Sequence, residues 1–136
     1  MKSRWATVQG MYADILAQVG NPPIELLTPT EYAARTGHGL GNFYGMSNNR
    51  HNVITVRKSR PDADVRNTLW HEIAHILFPS KPHWWIECFA AVMAPTDDVG
   101  RYATRYAKTP ADMPSKAELL RLARLSAARL RKEDAA

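Results

Sequence analysis

The sequence has a single cysteine, Cys88, and no hydrophobic run long enough to cross a membrane. One cysteine excludes an intramolecular disulfide framework and is typical of proteins in a reducing compartment. The longest apolar runs, such as residues 84–86 and 89–94, are far shorter than the roughly 20 residues of a transmembrane helix. The first residues also lack the sustained apolar segment of a secretory signal peptide. The sequence therefore predicts a cytoplasmic protein with no membrane partner.

Neither composition nor charge departs far from that of ordinary globular domains. The 136 residues are 45% hydrophobic and 23% charged, which fits a single domain, 1–136, with one core. The net charge is +5, and a basic run lies near the C-terminus: Arg121, Arg124, Arg129, Arg131 and Lys132. Such a run could contact nucleic acid or an acidic partner, but a solvated helix face is the simpler interpretation.

The order of the predicted elements indicates an α+β fold. Apolar residues at helical spacing predict a first helix over about 4–19. Alternating and β-branched residues then predict two strands of an antiparallel hairpin, over about 42–46 and 52–58. Caps and apolar periodicity predict further helices: a short one from Thr28 to Gly37, then about 61–78, 83–94, 96–107 and 115–133, the last with Leu119, Leu122, Leu125 and Leu130.

Residues 71–75 read His-Glu-Ile-Ala-His and carry the clearest chemical signal in the chain. Residues four apart lie on one face of a helix, so the rings of His71 and His75 can converge on one ion. Glu72 is turned away from that direction, near enough to reach a water at the metal site but poorly placed as a ligand. A zinc hydrolase needs imidazoles that bind the ion and a carboxylate that accepts a proton from the attacking water, and this motif supplies both. The motif therefore predicts a Zn²⁺ site with Glu72 as general base.

A catalytic zinc site needs a third protein ligand, and the next predicted helix offers His83 and Glu87, again four residues apart. Glu87 is the only charged residue between Lys81 and Asp97. Because buried charges are rare unless they are paired or metal-bound, this position favours Glu87 as the ligand. His83, beside the preceding loop, is an alternative third ligand, a partner of a ligand, or a donor to the developing oxyanion.

The segment His71-Glu-Ile-Ala-His75, followed by Trp84-Trp-Ile-Glu87-Cys-Phe-Ala90, resembles the gluzincin clan of zinc metallopeptidases. In that clan the third ligand is a glutamate on the helix after the motif, so the resemblance implies His71, His75 and Glu87. Residues 52–95 also resemble the compact ImmA/IrrE-type peptidases. Aligning Phe89 with their corresponding phenylalanine puts His83 where their glutamate usually lies. The resemblance implies a small zincin-like domain, with a β-hairpin or short antiparallel sheet against the motif helix, that hydrolyses peptide bonds.

Two functions remain open from the sequence. The first is a zinc metallopeptidase acting on a peptide or protein, in which His83, Tyr102 or Tyr106 stabilises the oxyanion. Phe43 and Tyr44, on the predicted strand nearest the cleft, would line it or pack in the core. The second is a non-catalytic zinc module that contacts a protein or nucleic acid through the basic C-terminal helix. The intact Glu72 favours the first, because a pure scaffold has no use for a general base.

Overall fold

The computed structural model describes residues 3–96 and 109–136, which form an α+β domain, as the sequence predicts. The helices in these ranges are α1 (Arg4–Gln18), α2 (Pro29–Thr36), α3 (Asp62–Leu77), α4 (His83–Met93) and α5 (Lys116–Ala135), with a 3₁₀ turn at Pro110–Asp112. The strands are β1 (Glu25–Leu26), β2 (Gly45–Asn48) and β3 (Val53–Val56). None of the described helices has the length and hydrophobicity needed to cross a bilayer. The predicted helix over 96–107 lies almost wholly outside the described residues.

The three strands form a mixed sheet in the order β1-β3-β2. Strands β2 and β3 make the predicted antiparallel hairpin, with Gly45 opposite Val56 and Asn48 opposite Val53. The predicted limits of the first hairpin strand, 42–46, were wrong. Residues 45–46 pair with β3, but residues 41–43 lie outside the strand, where the main-chain oxygens of Gly41 and Phe43 accept hydrogen bonds from the Arg57 side chain.

The two-residue strand β1, parallel to β3, was not predicted. Its short sequence, Glu-Leu, carries no alternation of apolar and polar residues long enough to indicate a strand. It forms because the main chain after α1 runs beside β3, where Leu27 donates to the Ile54 carbonyl over 2.9 Å. This strand exists through tertiary pairing alone.

The helix termini follow the sequence signals. At α2, Thr28 and Glu31 form a reciprocal capping box, and Gly37 ends the helix with φ of 79°, a left-handed conformation that glycine adopts without strain. At α5, the Ser115 hydroxyl accepts a hydrogen bond from the Glu118 N–H over 3.2 Å. These local contacts explain why the starts of both helices could be predicted.

Helix α3 is the centre of the domain and contacts α1, α4, α5, β2 and β3. Its predicted apolar face is buried throughout: Val65, Leu69, Ile73, Ile76 and Leu77. Ala90 on α4 and Ala94, directly after its end, are buried, which lets α4 lie close to α3 as their small size predicts. The Asn67 side-chain amide ties the pair by donating to the Ala94 carbonyl over 2.9 Å. The two helices that carry the candidate ligands are therefore held directly against one another.

The buried face of α5 differs from the leucine pattern. Leu119 is fully buried, but Leu125 is 57% exposed, so its predicted place in the apolar face was wrong. Ala123 and Ala127 are buried instead, at the i+4 and i+8 positions from Leu119. Small side chains occupy the centre of the contact because they allow close approach of the backbones, and the bulkier leucine faces outward.

Arginines of the basic run dock α5 onto the rest of the domain. Arg124 donates to the Gln18 carbonyl over 2.9 Å, and Arg131 donates to the carbonyl of Gly20. Arg129 donates to the Leu77 carbonyl over 3.5 Å. These acceptors lie at the C-terminal ends of α1 and α3, where unpaired carbonyls and the helix dipole favour cations. The basic run thus has a structural role that requires no nucleic acid.

Candidate metal centre

The two motif histidines lie side by side on α3. The Nε2 atoms of His71 and His75 are 3.1 Å apart, and their ring centroids are 4.8 Å apart. With Zn–N bonds of about 2.0–2.1 Å, two nitrogens on a tetrahedral ion lie about 3.3 Å apart, so the pair already has nearly the required spacing. Without an ion, a hydrogen bond between the two Nε2 atoms requires one ring to carry its proton on Nε2 and the other to carry it on Nδ1.

Burial keeps both imidazoles neutral at physiological pH. It lowers the pKa of His71 to about 3, helped by repulsion from His75 and His83. It also lowers the pKa of His75 to about 4, again helped by His83. A metal binds the unprotonated nitrogen, so protons would not compete with a metal ion for these two imidazoles near pH 7.

The motif glutamate is buried beside this pair. Glu72 is 7% exposed, and burial raises its pKa to about 7. A hydrogen bond from Ser47 on β2 and the charge of a protonated His83 act in the opposite direction. A carboxyl group with a pKa near neutrality is suited both to accept a proton and to return it. The structure thus gives Glu72 the environment of a general base.

Helix α4 contributes a hydrogen-bonded pair to the same site. His83 Nε2 lies 2.7 Å from the Glu87 Oε1 atom. The His83 side chain is 51% exposed, whereas that of Glu87 is 5% exposed. The second carboxylate oxygen of Glu87, Oε2, is buried and has no hydrogen-bond partner among the described residues. A buried carboxylate with one oxygen left unpaired points to a positive charge nearby.

Three of the chain's five histidines meet at this point. One nitrogen from each of His71, His75 and His83 forms a group whose members all lie within 4.8 Å of one another. Glu87 lies against His83 and is not part of that group within the described residues. Neutral imidazoles with a nearby carboxylate are donors that zinc prefers, so the residues fit the predicted metal.

The site opens into a cleft of about 860 Å³. One wall is formed by the segment from Asn42 to Ser47, which includes most of β2, and the other by α3 and the start of α4. Phe43 and Tyr44 line the cleft; Phe43 is 65% exposed, and the Arg60 guanidinium lies 4.1 Å above the Tyr44 ring. The alternative in which these aromatics are core residues is therefore wrong for Phe43. Tyr102 and Tyr106 lie outside the described residues.

Sequence reasoning missed two residues of this wall, Gly45 and Ser47. A Cβ atom on Gly45 would lie 2.5 Å from Thr68 Cγ2, 3.0 Å from the Thr55 carbonyl oxygen and 3.1 Å from Glu72 Cγ. Glycine is therefore needed for β2 to lie against α3 beside Glu72. A glycine inside a strand often marks such a close approach, and that signal could have identified it.

We expect Gly45→Ala to lower the free energy of unfolding by about 1–3 kcal/mol, because the added methyl overpacks this contact. Urea unfolding followed by circular dichroism measures the change. The matched control is Gly39→Ala, since no atom lies within 4 Å of its Cβ position and its φ is not in the left-handed region. Equal stability of the two variants would show that β2 can move away from α3 at little cost.

No protein-family model, curated protein or solved structure matches this chain. A functional assignment therefore depends on the chemistry of the site itself.

Proposed function

We propose that this chain is a zinc-dependent metallopeptidase with Glu72 as its general base. The observation that carries the proposal is the meeting of three imidazoles with a buried, hydrogen-bonded Glu72 at the wall of one open cleft. A purely structural zinc site is closed by four protein ligands and needs no such carboxylate. A reducing, cytoplasmic location is part of the proposal, because the single cysteine is free and buried.

His71 and His75 would hold the ion together with one donor from the His83–Glu87 pair. A zinc ion bound there supplies a Lewis acid that polarises the scissile carbonyl and lowers the pKa of a coordinated water. The chain itself supplies the proton transfers. Glu72 accepts a proton as the water attacks, and it then returns that proton to the leaving amine. Its burial and its hydrogen bond from Ser47 hold the carboxylate in place for both transfers.

The cleft wall favours an extended peptide as the substrate. Strand β2 is at the edge of the sheet in the part of the chain that the structure describes, with β3 on one side and the cleft on the other. An edge strand offers main-chain donors and acceptors to an extended segment, which then lies as a further strand. Phe43, exposed at the end of this wall, offers an apolar surface to a substrate side chain.

The proposal is tested by removing and restoring the metal. The purified protein is incubated with a mixed peptide library, and products are identified by mass spectrometry. We expect cleavage that a strong chelator abolishes and that stoichiometric Zn²⁺ restores, because the ion is required for water activation. The control is Glu72→Gln, prepared in parallel, which should leave the library intact. Cleavage that persists after complete zinc removal would contradict the proposal.

A further inference from the structure

We propose that His83 is the third metal ligand and that Glu87 lies behind it, orienting its ring. This assignment rests on the proposed zinc site, but it does not depend on which bond the protein hydrolyses. It differs from the expectation drawn from the sequence, in which Glu87 binds the ion and His83 assists.

The first argument is the arrangement of the three rings. The ring centroids of His71 and His75 are 4.8 Å apart, and those of His71 and His83 are 5.0 Å apart. The centroids of His75 and His83 are 5.2 Å apart, so the rings form a nearly equilateral triangle. This is the arrangement expected of three ligands that surround one ion from different directions. The half-exposed His83 side chain, at the start of α4, can close the remaining distance by small side-chain rotations.

The second argument is the position of Glu87. Its Oε1 atom is 2.7 Å from His83 Nε2, so the carboxylate contacts the ring of the proposed ligand. An imidazole has two nitrogens, and coordination through one is compatible with a hydrogen bond through the other. Metal-ligating histidines usually donate their second N–H to a carboxylate or carbonyl, which fixes the tautomer and the ring orientation. Glu87 is placed for that task.

The third argument is the charge of Glu87. Its carboxylate is buried, and the Oε2 atom has no partner among the described residues. A divalent ion on His83 would make the opposite ring N–H a stronger donor to Oε1, so the charge of the carboxylate would be compensated through that hydrogen bond without direct coordination. Three neutral ligands also leave the ion's charge undiminished, whereas a carboxylate ligand would cancel one unit of it. The centre would then be a stronger Lewis acid than one with two histidines and a glutamate.

The test compares the zinc affinity of four single variants of the full chain by competition with a chromophoric chelator. His83→Ala should weaken zinc binding by more than about 100-fold. Loss of only the carboxylate that holds a ligating histidine typically weakens metal binding by about 10–100-fold, so a larger effect indicates loss of a ligand. Glu87→Ala should weaken zinc binding by about 10–100-fold, because the ring loses its orienting partner. Glu87→Gln should stay within about tenfold of the parent, because the amide oxygen can still accept from the imidazole. The exposed His51→Ala is the matched control and should equal the parent.

X-ray absorption spectroscopy gives a second readout, because imidazole rings produce a countable outer-shell scattering signal. We expect three imidazoles per zinc in both the parent and Glu87→Gln. Three results would each overturn the assignment while leaving a zinc site in place. They are two imidazoles per zinc in the parent, loss of zinc from Glu87→Gln, and a zinc affinity of His83→Ala within tenfold of that of the parent. A parent protein that binds no zinc would instead contradict the proposed function, and the ligand assignment with it.

Discussion

His71→Ala and His75→Ala should each yield a folded protein that contains almost no zinc after purification. Both rings belong to the three-imidazole group, with their Nε2 atoms 3.1 Å apart, so either change would remove a proposed ligand that the other two cannot replace. Losing one of three protein ligands from a catalytic site is rarely tolerated. Elemental analysis of the purified proteins measures the effect, and the parent should contain about one zinc per chain.

The matched control for both changes is His38→Ala, which removes an exposed histidine outside the cleft and should leave the zinc content unchanged. Circular dichroism establishes that each variant is folded. If the double variant of His71 and His75 kept a full equivalent of zinc, the metal would have to bind elsewhere, and the proposed centre would be wrong.

Glu72→Gln should retain the metal and the fold but lose hydrolytic activity by at least about 10²–10⁴-fold, the usual contribution of a general base. The amide has nearly the same shape as the carboxylate but cannot accept a proton from the attacking water. The measurement is the rate of peptide cleavage at saturating zinc, using a substrate that the parent cleaves. Unchanged KM with a reduced kcat would place the loss in the chemical step.

A Glu72→Gln protein as active as the parent would exclude Glu72 as the base. If the parent cleaves no peptide, and a partner protein binds Glu72→Gln and the parent equally well, the non-catalytic zinc module becomes the better explanation. The structure gives that alternative little support at the basic run, because Arg124, Arg129 and Arg131 already contact main-chain carbonyls.

The features that the sequence predicted correctly depend on local chemistry. The cap of α2 and the apolar face of α3 are determined by residues only a few positions apart in the sequence, so both could be predicted from it. The spacing of His71 and His75 likewise fixes their relation, because both lie on one rigid helix.

The features that were wrong or missed depend on contacts between distant segments. Strand β1 exists only because β3 lies beside it, and Leu125 is exposed because α5 packs through the face of Leu119, Ala123 and Ala127, from which Leu125 points away. The identity of the third ligand stays a prediction, and it depends on the same kind of contact. His83 and Glu87 are equivalent by spacing, and only the position of α4 against α3 puts His83 among the imidazoles with Glu87 against it.

The docking of α5 has a consequence for the order of events during synthesis. Arg124 bonds to Gln18, 106 residues earlier in the chain, and Leu119 and Ala123 belong to the core that also contains α1 and α3. Chains leave the ribosome from the N-terminus, so the part of the apolar core that α5 covers stays exposed until α5 has emerged. A nascent chain that already carries both α3 histidines still lacks the helix that covers the C-terminal end of α3. A chaperone acting on the nascent chain would therefore meet this apolar surface before α5 covers it.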